Sequence, residues 1–158
     1  MKAYSLWQMI WRLLKFRLRA KHWKSLHSPF LLAFVQDGLR VSRSAGFKPI
    51  EERRKILLNN QSVLTFKDYG RDGELQSRKV SQIARKSLKP SKYAEIIANC
   101  CHYFKVENSL ELGTSLGITT AYMAQSCHGT VYSFEGGKNI LDIARKQWEA
   151  LNISNIKS

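Results

Sequence analysis

The chain has 158 residues, 44% of them hydrophobic, and a formal net charge of +14. That composition excludes wholesale disorder and leaves room for one domain with a real core plus an appendage. Three cysteines, Cys100, Cys101 and Cys127, show no C-x-x-C spacing, and the histidines are dispersed. Reduced thiols in a cytoplasmic protein are expected from this, with neither a disulfide frame nor a metal site. Residues 1–55 carry 13 Lys/Arg against 3 Asp/Glu, whereas residues 110–158 carry 4 of each. The basic character belongs to the N-terminal part, and the two ends of the chain are expected to do different jobs.

Residues 1–25 contain no Pro or Gly and read as a helix. On a helical wheel Gln8, Arg12, Lys15 and Arg19 form a polar stripe. Leu6, Met9, Ile10, Leu13, Leu14 and Phe16 lie across from it; Trp7, Trp11 and Leu18 widen the apolar arc, and Arg17 and Lys21 interrupt it. The segment is too charged to span a bilayer and lacks a signal-peptide cleavage site. Two uses fit the pattern. One is a helix lying on an anionic membrane surface or on nucleic acid, which would make the protein peripheral to a membrane in the first case. The other is a docking helix whose apolar side covers a core or a cofactor pocket.

Ser28 before Pro29 is an N-cap and first-turn pair, so a second helix is expected there, fading between Gly38 and Gly46. Pro49–Leu58 reads as a short charged helix, residues 59–62 as a turn and Val63–Phe66 as a short strand. The polar glycine loop 67–73 follows; Asp68, Asp72 and Glu74 fit a solvated loop or a substrate or metal site. Arg78–Ser87 is basic and helix-prone. Pro90–Phe104 places Tyr93, Ile96, Ile97, Cys100, Cys101 and Phe104 at i, i+3, i+4 spacing, the pattern of a helix packed on a core.

The stretch 109–120, Ser-Leu-Glu-Leu-Gly-Thr-Ser-Leu-Gly-Ile-Thr-Thr, reads as strand, glycine turn and helix N-terminus. Such a turn lets a ligand approach the backbone and aims free helix N–H groups at it. Thr130–Glu135 is a strand ending in an acid, closed by Gly136 and Gly137. Lys138–Asn152 is a helix with Ile140, Leu141, Ile143, Ala144, Trp148 and Leu151 on its buried side, and residues 153–158 look like the entrance to a third strand. This alternation predicts an α/β fold with a parallel sheet, and a ligand at the carboxyl strand ends where Gly113–Gly117 meets Glu135. Glu135 lies 22 residues beyond Gly113, placed to accept hydrogen bonds from two ribose hydroxyls. The expected ligand is a nucleoside-containing cofactor. The expected domains are a basic, mainly helical extension over 1–88 and the cofactor-binding half-domain over 89–158.

The order Glu111-x-Gly113-x-x-x-Gly117, with Ser115 where a dinucleotide fingerprint has its middle glycine, resembles motif I of the class I S-adenosylmethionine-dependent methyltransferases. It is closest to the small-molecule O-methyltransferase type, and Phe134-Glu135 resembles the next motif of that family. His27-Ser-Pro-Phe30 and Asp68-Tyr-Gly70 also look like the N-terminal extension of a bacterial group of such enzymes. The specific part of the resemblance covers residues 109–150.

The resemblance implies a Rossmann-like methyltransferase sheet, here only its first two strands and the start of a third, with S-adenosyl-L-methionine as cofactor. Gly113 and Gly117 would let the methionine portion meet the backbone, with Thr114 and Ser115 in the turn between them. Glu111 would hold the methionine amino group, Thr119 would lie near its carboxylate at the helix N-terminus, and Glu135, followed by Gly136, would hold the ribose. Thr119 also fits as a helix cap and Glu111 as the partner of a nearby base. The implied reaction is in-line methyl transfer to an O, N or C nucleophile of a small-molecule acceptor. In that family the later strands carry the catalytic residues, so the expectation is a truncated enzyme, inactive alone, with no catalytic residue or metal assigned. The alternative is a non-catalytic basic module that binds an anionic membrane surface or RNA through residues 1–55. An NAD-binding protein is disfavoured by the missing G-x-G-x-x-G.

Overall fold

The computed structural model describes residues 5–20, 27–39, 45–67 and 73–158. The chain divides into two compact units, Met1–Gln36 and Asp37–Ser158.

The first unit holds helix α1, Leu6–Arg19. Ser5 starts it with a reciprocal capping box: its Oγ accepts from the Gln8 N–H at 3.4 Å, and the Gln8 Oε1 accepts from the Ser5 N–H at 3.0 Å. No residue of α1 is buried. The flanking residues 1–4 and 21–25 of the expected helix lie outside the described residues. Helix α2, Pro29–Ala33, begins where Ser28 and Pro29 predict, with the Ser28 Oγ accepting from the Leu31 N–H at 3.4 Å. A π-helical turn, Phe34–Gly38, continues it, and Phe30 and Phe34 stack one turn apart.

The second unit opens with a 3-10 turn, Ala45–Phe47, and helix α3, Lys48–Asn59. An antiparallel hairpin follows, β1 (Val63–Lys67) and β2 (Leu75–Lys79), with Val63 opposite Lys79. Helices α4 (Val80–Ser87) and α5 (Ser91–Tyr103) lead into β3 (Asn108–Leu112), α6 (Ile118–Ser126), β4 (Thr130–Phe134), α7 (Lys138–Ala150) and β5 (Ile156–Lys157). The last three strands form a parallel sheet in the order β3-β4-β5, with Leu112 opposite Phe134. Helical crossovers join them, as parallel pairing requires. The chain is therefore a mixed α/β protein.

The core joins the elements that precede the parallel sheet to the crossover helices within it. Ile50 and Leu57 of α3 and Val80 and Ala84 of α4 share one cluster with Tyr122 of α6 and Trp148 of α7. The boundary expected at residue 88 thus falls inside the unit Asp37–Ser158. Two short helices, α3 and α4, have apolar faces too small to bury by themselves, so they complete the larger core. The Tyr122 phenol sits at the centre, stacked at a tilt on Phe47, and donates to Glu51 Oε1 at 2.8 Å. A buried phenol needs such a partner.

Three features depart from the expected pattern. Strand β2 occupies residues expected to lie before or within a basic helix. It has no apolar face, and backbone pairing with β1 and the Thr65–Ser77 hydroxyl contact at 2.8 Å hold it. Helix α5 buries Ala94, Ala98 and Cys101 and leaves Tyr93 and Phe104 exposed. Its partner α6 presents the fully buried Ala121, and only small side chains allow two helices so close an approach. At the site end of the sheet the polarity is inverted: Glu111 and the buried Ser133 lie on one face, while Leu110, Leu112 and Phe134 are exposed on the other.

The three thiols are free. Burial, and then the neighbouring Cys127, push the Cys101 thiol up to about 12. Burial also raises Cys100. Among the described residues no helix is long and apolar enough to cross a membrane.

Candidate functional site at the carboxyl ends of the parallel strands

Strand β3 runs into a turn in which every second residue is left-handed: Gly113 (φ 94°), Ser115 (φ 50°) and Gly117 (φ 77°). The Phe134 carbonyl at the end of β4 accepts from both the Gly113 and Thr114 N–H groups, at 2.8 and 3.1 Å. The turn is thereby tied to the neighbouring strand. Ser115 holds a conformation that costs a non-glycine residue about 1–2 kcal/mol. Two contacts hold it there: its N–H donates to Glu135 Oε2 at 2.8 Å, and its hydroxyl lies 2.8 Å from that of Ser87.

The two glycines differ in what surrounds them. A Cβ at position 113 would meet nothing within 4 Å, so the space above it is open. A Cβ at 117 would lie 2.7 Å from both Ala144 Cβ and Trp148 Nε1. Glycine at 117 lets α7 pack on the turn, and the Trp148 indole donates to its carbonyl at 2.8 Å. The volume beside Gly117 in the Cβ direction is filled by α7.

Glu111 is fixed by two hydroxyls. Its Oε2 accepts from Thr120 at 2.5 Å and from Ser133 at 2.6 Å, and Ser133 in turn accepts from Thr114 at 2.6 Å. The chain of donors runs from Thr114 through Ser133 to the carboxylate, and Oε1 carries none of these bonds. Among the described residues no base pairs with Glu111; hydroxyls take that place. Glu135 is held differently: Oε2 accepts from the Ser115 N–H and Oε1 from the Gly137 N–H at 3.0 Å. A carboxylate oxygen has two lone pairs, so each keeps one for a further donor.

Glu111, Gly113, Thr114, Ser115 and Thr119 help wall a cleft of about 390 Å³; Glu135 touches that wall through its bond to the Ser115 N–H and does not itself line the cleft. Thr119 lies in the first turn of α6, a helix whose N-cap, Gly117, offers no side-chain cap. Its first N–H groups have no partner within the helix, as at any helix start. Gly136 lies elsewhere, in an adjoining cleft of about 230 Å³ walled by the β1–β2 hairpin and the start of α7. Asp68 and Asp72 fall outside the described residues, and Glu74 is exposed. Among the described residues no three His, Cys, Asp or Glu side chains gather as metal ligands would.

The opposite rim of the cleft comes from Ser87, Leu88 and Lys89, which no sequence motif marked. Arg54 steadies that rim from α3: it pairs with Glu51 at 2.8 Å and donates to the Lys89 carbonyl at 2.7 Å. The same Glu51 carboxylate takes the Tyr122 phenol; burial, and then that hydrogen bond, push the phenol upward. Arg54, Ser133 and Thr120 were also missed, because their contacts to Lys89 and Glu111 cross between elements. An inward-facing serine in a short strand was the one available signal.

The geometry defines a class: a mixed α/β chain with a cleft of mixed polar and apolar lining at the carboxyl ends of its parallel strands. No protein-family model matches the chain, and no curated protein matches it. Among solved structures it is similar to cofactor-bound Rv0187 from MTB, with a TM-score of 0.53 and 12% identity over 84% of this chain and 51% of that one. The chain thus spans about half the length of that neighbour. At this identity the likeness speaks for the fold alone.

Proposed function

We propose that the chain is the cofactor-binding part of a class I methyltransferase with a Rossmann-like sheet, and that the cleft takes S-adenosyl-L-methionine. The observation that carries this reading is a pair of fixed carboxylates, Glu111 and Glu135, on two adjacent parallel strand ends, flanking a left-handed Gly113 with open space above it. That the structural neighbour is cofactor-bound agrees with a small-molecule site in this fold.

The residues present suit the group. A zwitterionic amino acid needs an acceptor for its ammonium and donors for its carboxylate; Glu111 Oε1 supplies the first, and the first turn of α6 with the Thr119 hydroxyl the second. A ribose diol needs two acceptors on one rigid group, and Glu135 offers a spare lone pair on each oxygen. Because protein donors already orient both carboxylates, little ordering is left for binding. The bound sulfonium supplies an activated methyl group; this part of the chain binds and aligns it for a small-molecule nucleophile. Gly117 contributes through the packing of α7.

Titration calorimetry with S-adenosyl-L-methionine tests the reading. Glu135→Ala is expected to weaken binding at least tenfold, the loss of a charge-assisted pair of about 1.5–3 kcal/mol. NAD is expected not to compete. Unchanged affinity in a Glu135→Ala protein that melts like the parent would remove the site assignment.

A further inference from the structure

Helix α1 exposes an apolar surface that a water-soluble helix does not carry without a partner. Nine large apolar residues of its fourteen are exposed, Trp7 at 80% and Leu18 at 83% among them. On the helical wheel Gln8, Arg12, Lys15 and Arg19 occupy a sector about 60° wide, and the apolar arc covers about 220°. Arg17 interrupts that arc only in the last turn. We propose that α1 is an in-plane anchor which inserts its apolar side into the surface of a membrane carrying anionic lipid headgroups.

Charge argues for that occupant. Residues 1–36 contain seven Lys/Arg and no Asp/Glu, and the whole chain is +14, so the remainder is itself +7. Neither the rest of the chain nor a second copy offers complementary charge, whereas an anionic bilayer does. The aromatic residues fit the same surface. Trp7 and Trp11 belong to the type enriched at the membrane–water boundary, and the Lys15 ammonium lies 5.7 Å from the centre of the Trp11 ring. A single-stranded RNA would satisfy the cations and stack on the tryptophans, but it has no apolar interior to receive Leu6, Leu13, Phe16 and Leu18. Length sets the orientation. Fourteen residues rise about 21 Å, short of the roughly 30 Å hydrocarbon core, so the helix lies flat.

Sedimentation of the full chain with phosphatidylcholine vesicles, with and without phosphatidylglycerol, tests the proposal. The expected result is binding at least tenfold tighter to the anionic vesicles, weakening as salt is raised. The triple variant Arg12→Gln, Lys15→Gln, Arg19→Gln is expected to lose about 100-fold, near fivefold per charge. Leu13→Glu with Phe16→Glu is expected to abolish sedimentation; both side chains are exposed, so the melting transition should not move. A single Trp11→Ser change, weakening binding severalfold, serves as a milder check if the double variant melts early. Absence of binding to anionic vesicles, or equal binding by parent and apolar-face variants, would overturn the proposal. Salt-sensitive capture of RNA with no vesicle binding would replace the membrane by a nucleic acid.

Discussion

Gly113 and Gly117 share a left-handed backbone, yet their surroundings give alanine different consequences. At 117 the new Cβ collides with Ala144 and Trp148 and the backbone is strained as well, so Gly117→Ala should destabilise by about 2–4 kcal/mol. At 113 only the backbone strain of about 1–2 kcal/mol applies. Thermal denaturation of the two variants should separate them, with Gly117→Ala melting several degrees lower. Glu111 sets a further test. Ser133→Ala removes one donor to its carboxylate and leaves the buried Thr114 hydroxyl without its acceptor, which should cost about 1–3 kcal/mol in chemical denaturation. Cys101 gives the pH dependence. Its folded pKa, near 12, lies above the unfolded value, so its contribution is fully present below about pH 9 and is lost as pH rises toward 12. At pH 8 its thiol should resist iodoacetamide, which peptide mass mapping can read.

At the level of elements, sequence reading succeeded where the signal was local. Ser28–Pro29 fixed the start of α2, and the apolar spacing of α7 agrees with its buried Ile140, Ala144 and Trp148. It failed where the determinant was a distant partner. Strand β2 exists because β1 pairs with it, and none of its side chains is buried. The buried stripe of α5 follows the alanines that α6 can approach, whereas periodicity weighted by side-chain size favours Tyr93 and Phe104. Ala98→Leu should therefore cost more than 1 kcal/mol by overpacking, while Tyr93→Ala, at an exposed site, should cost less than about 0.5 kcal/mol. Equal melting temperatures for these two variants would contradict the packing described for α5 and α6.

Over the whole molecule, the candidate site was legible to the extent that backbone geometry reads directly from residue type. Gly113, the strand-end acids Glu111 and Glu135, and the helix start beyond them follow from spacing along the chain. The hydroxyls that orient Glu111, the Ser87–Lys89 rim and its Arg54 support depend on contacts between elements, and spacing carries no record of those. Spacing likewise carries no record that α3 and α4 join a core assembled from both sides of residue 88. The inverted polarity of the sheet leaves Leu112 79% exposed beside Leu110. Replacing both with Lys should raise the solubility limit without lowering the melting temperature.

The Trp148–Gly117 hydrogen bond makes the molecule its own optical sensor. The Trp148 indole is buried and bonded to the carbonyl that begins α6, whereas Trp7 and Trp11 stand in solvent. With Trp7, Trp11 and Trp23 replaced by Phe, all remaining tryptophan emission comes from Trp148 and reports on the turn alone. With Trp148 replaced instead, the emission reports on the N-terminal segment. Two variants can therefore show, by the same emission measurement, whether a ligand has reached the turn and whether α1 has left water.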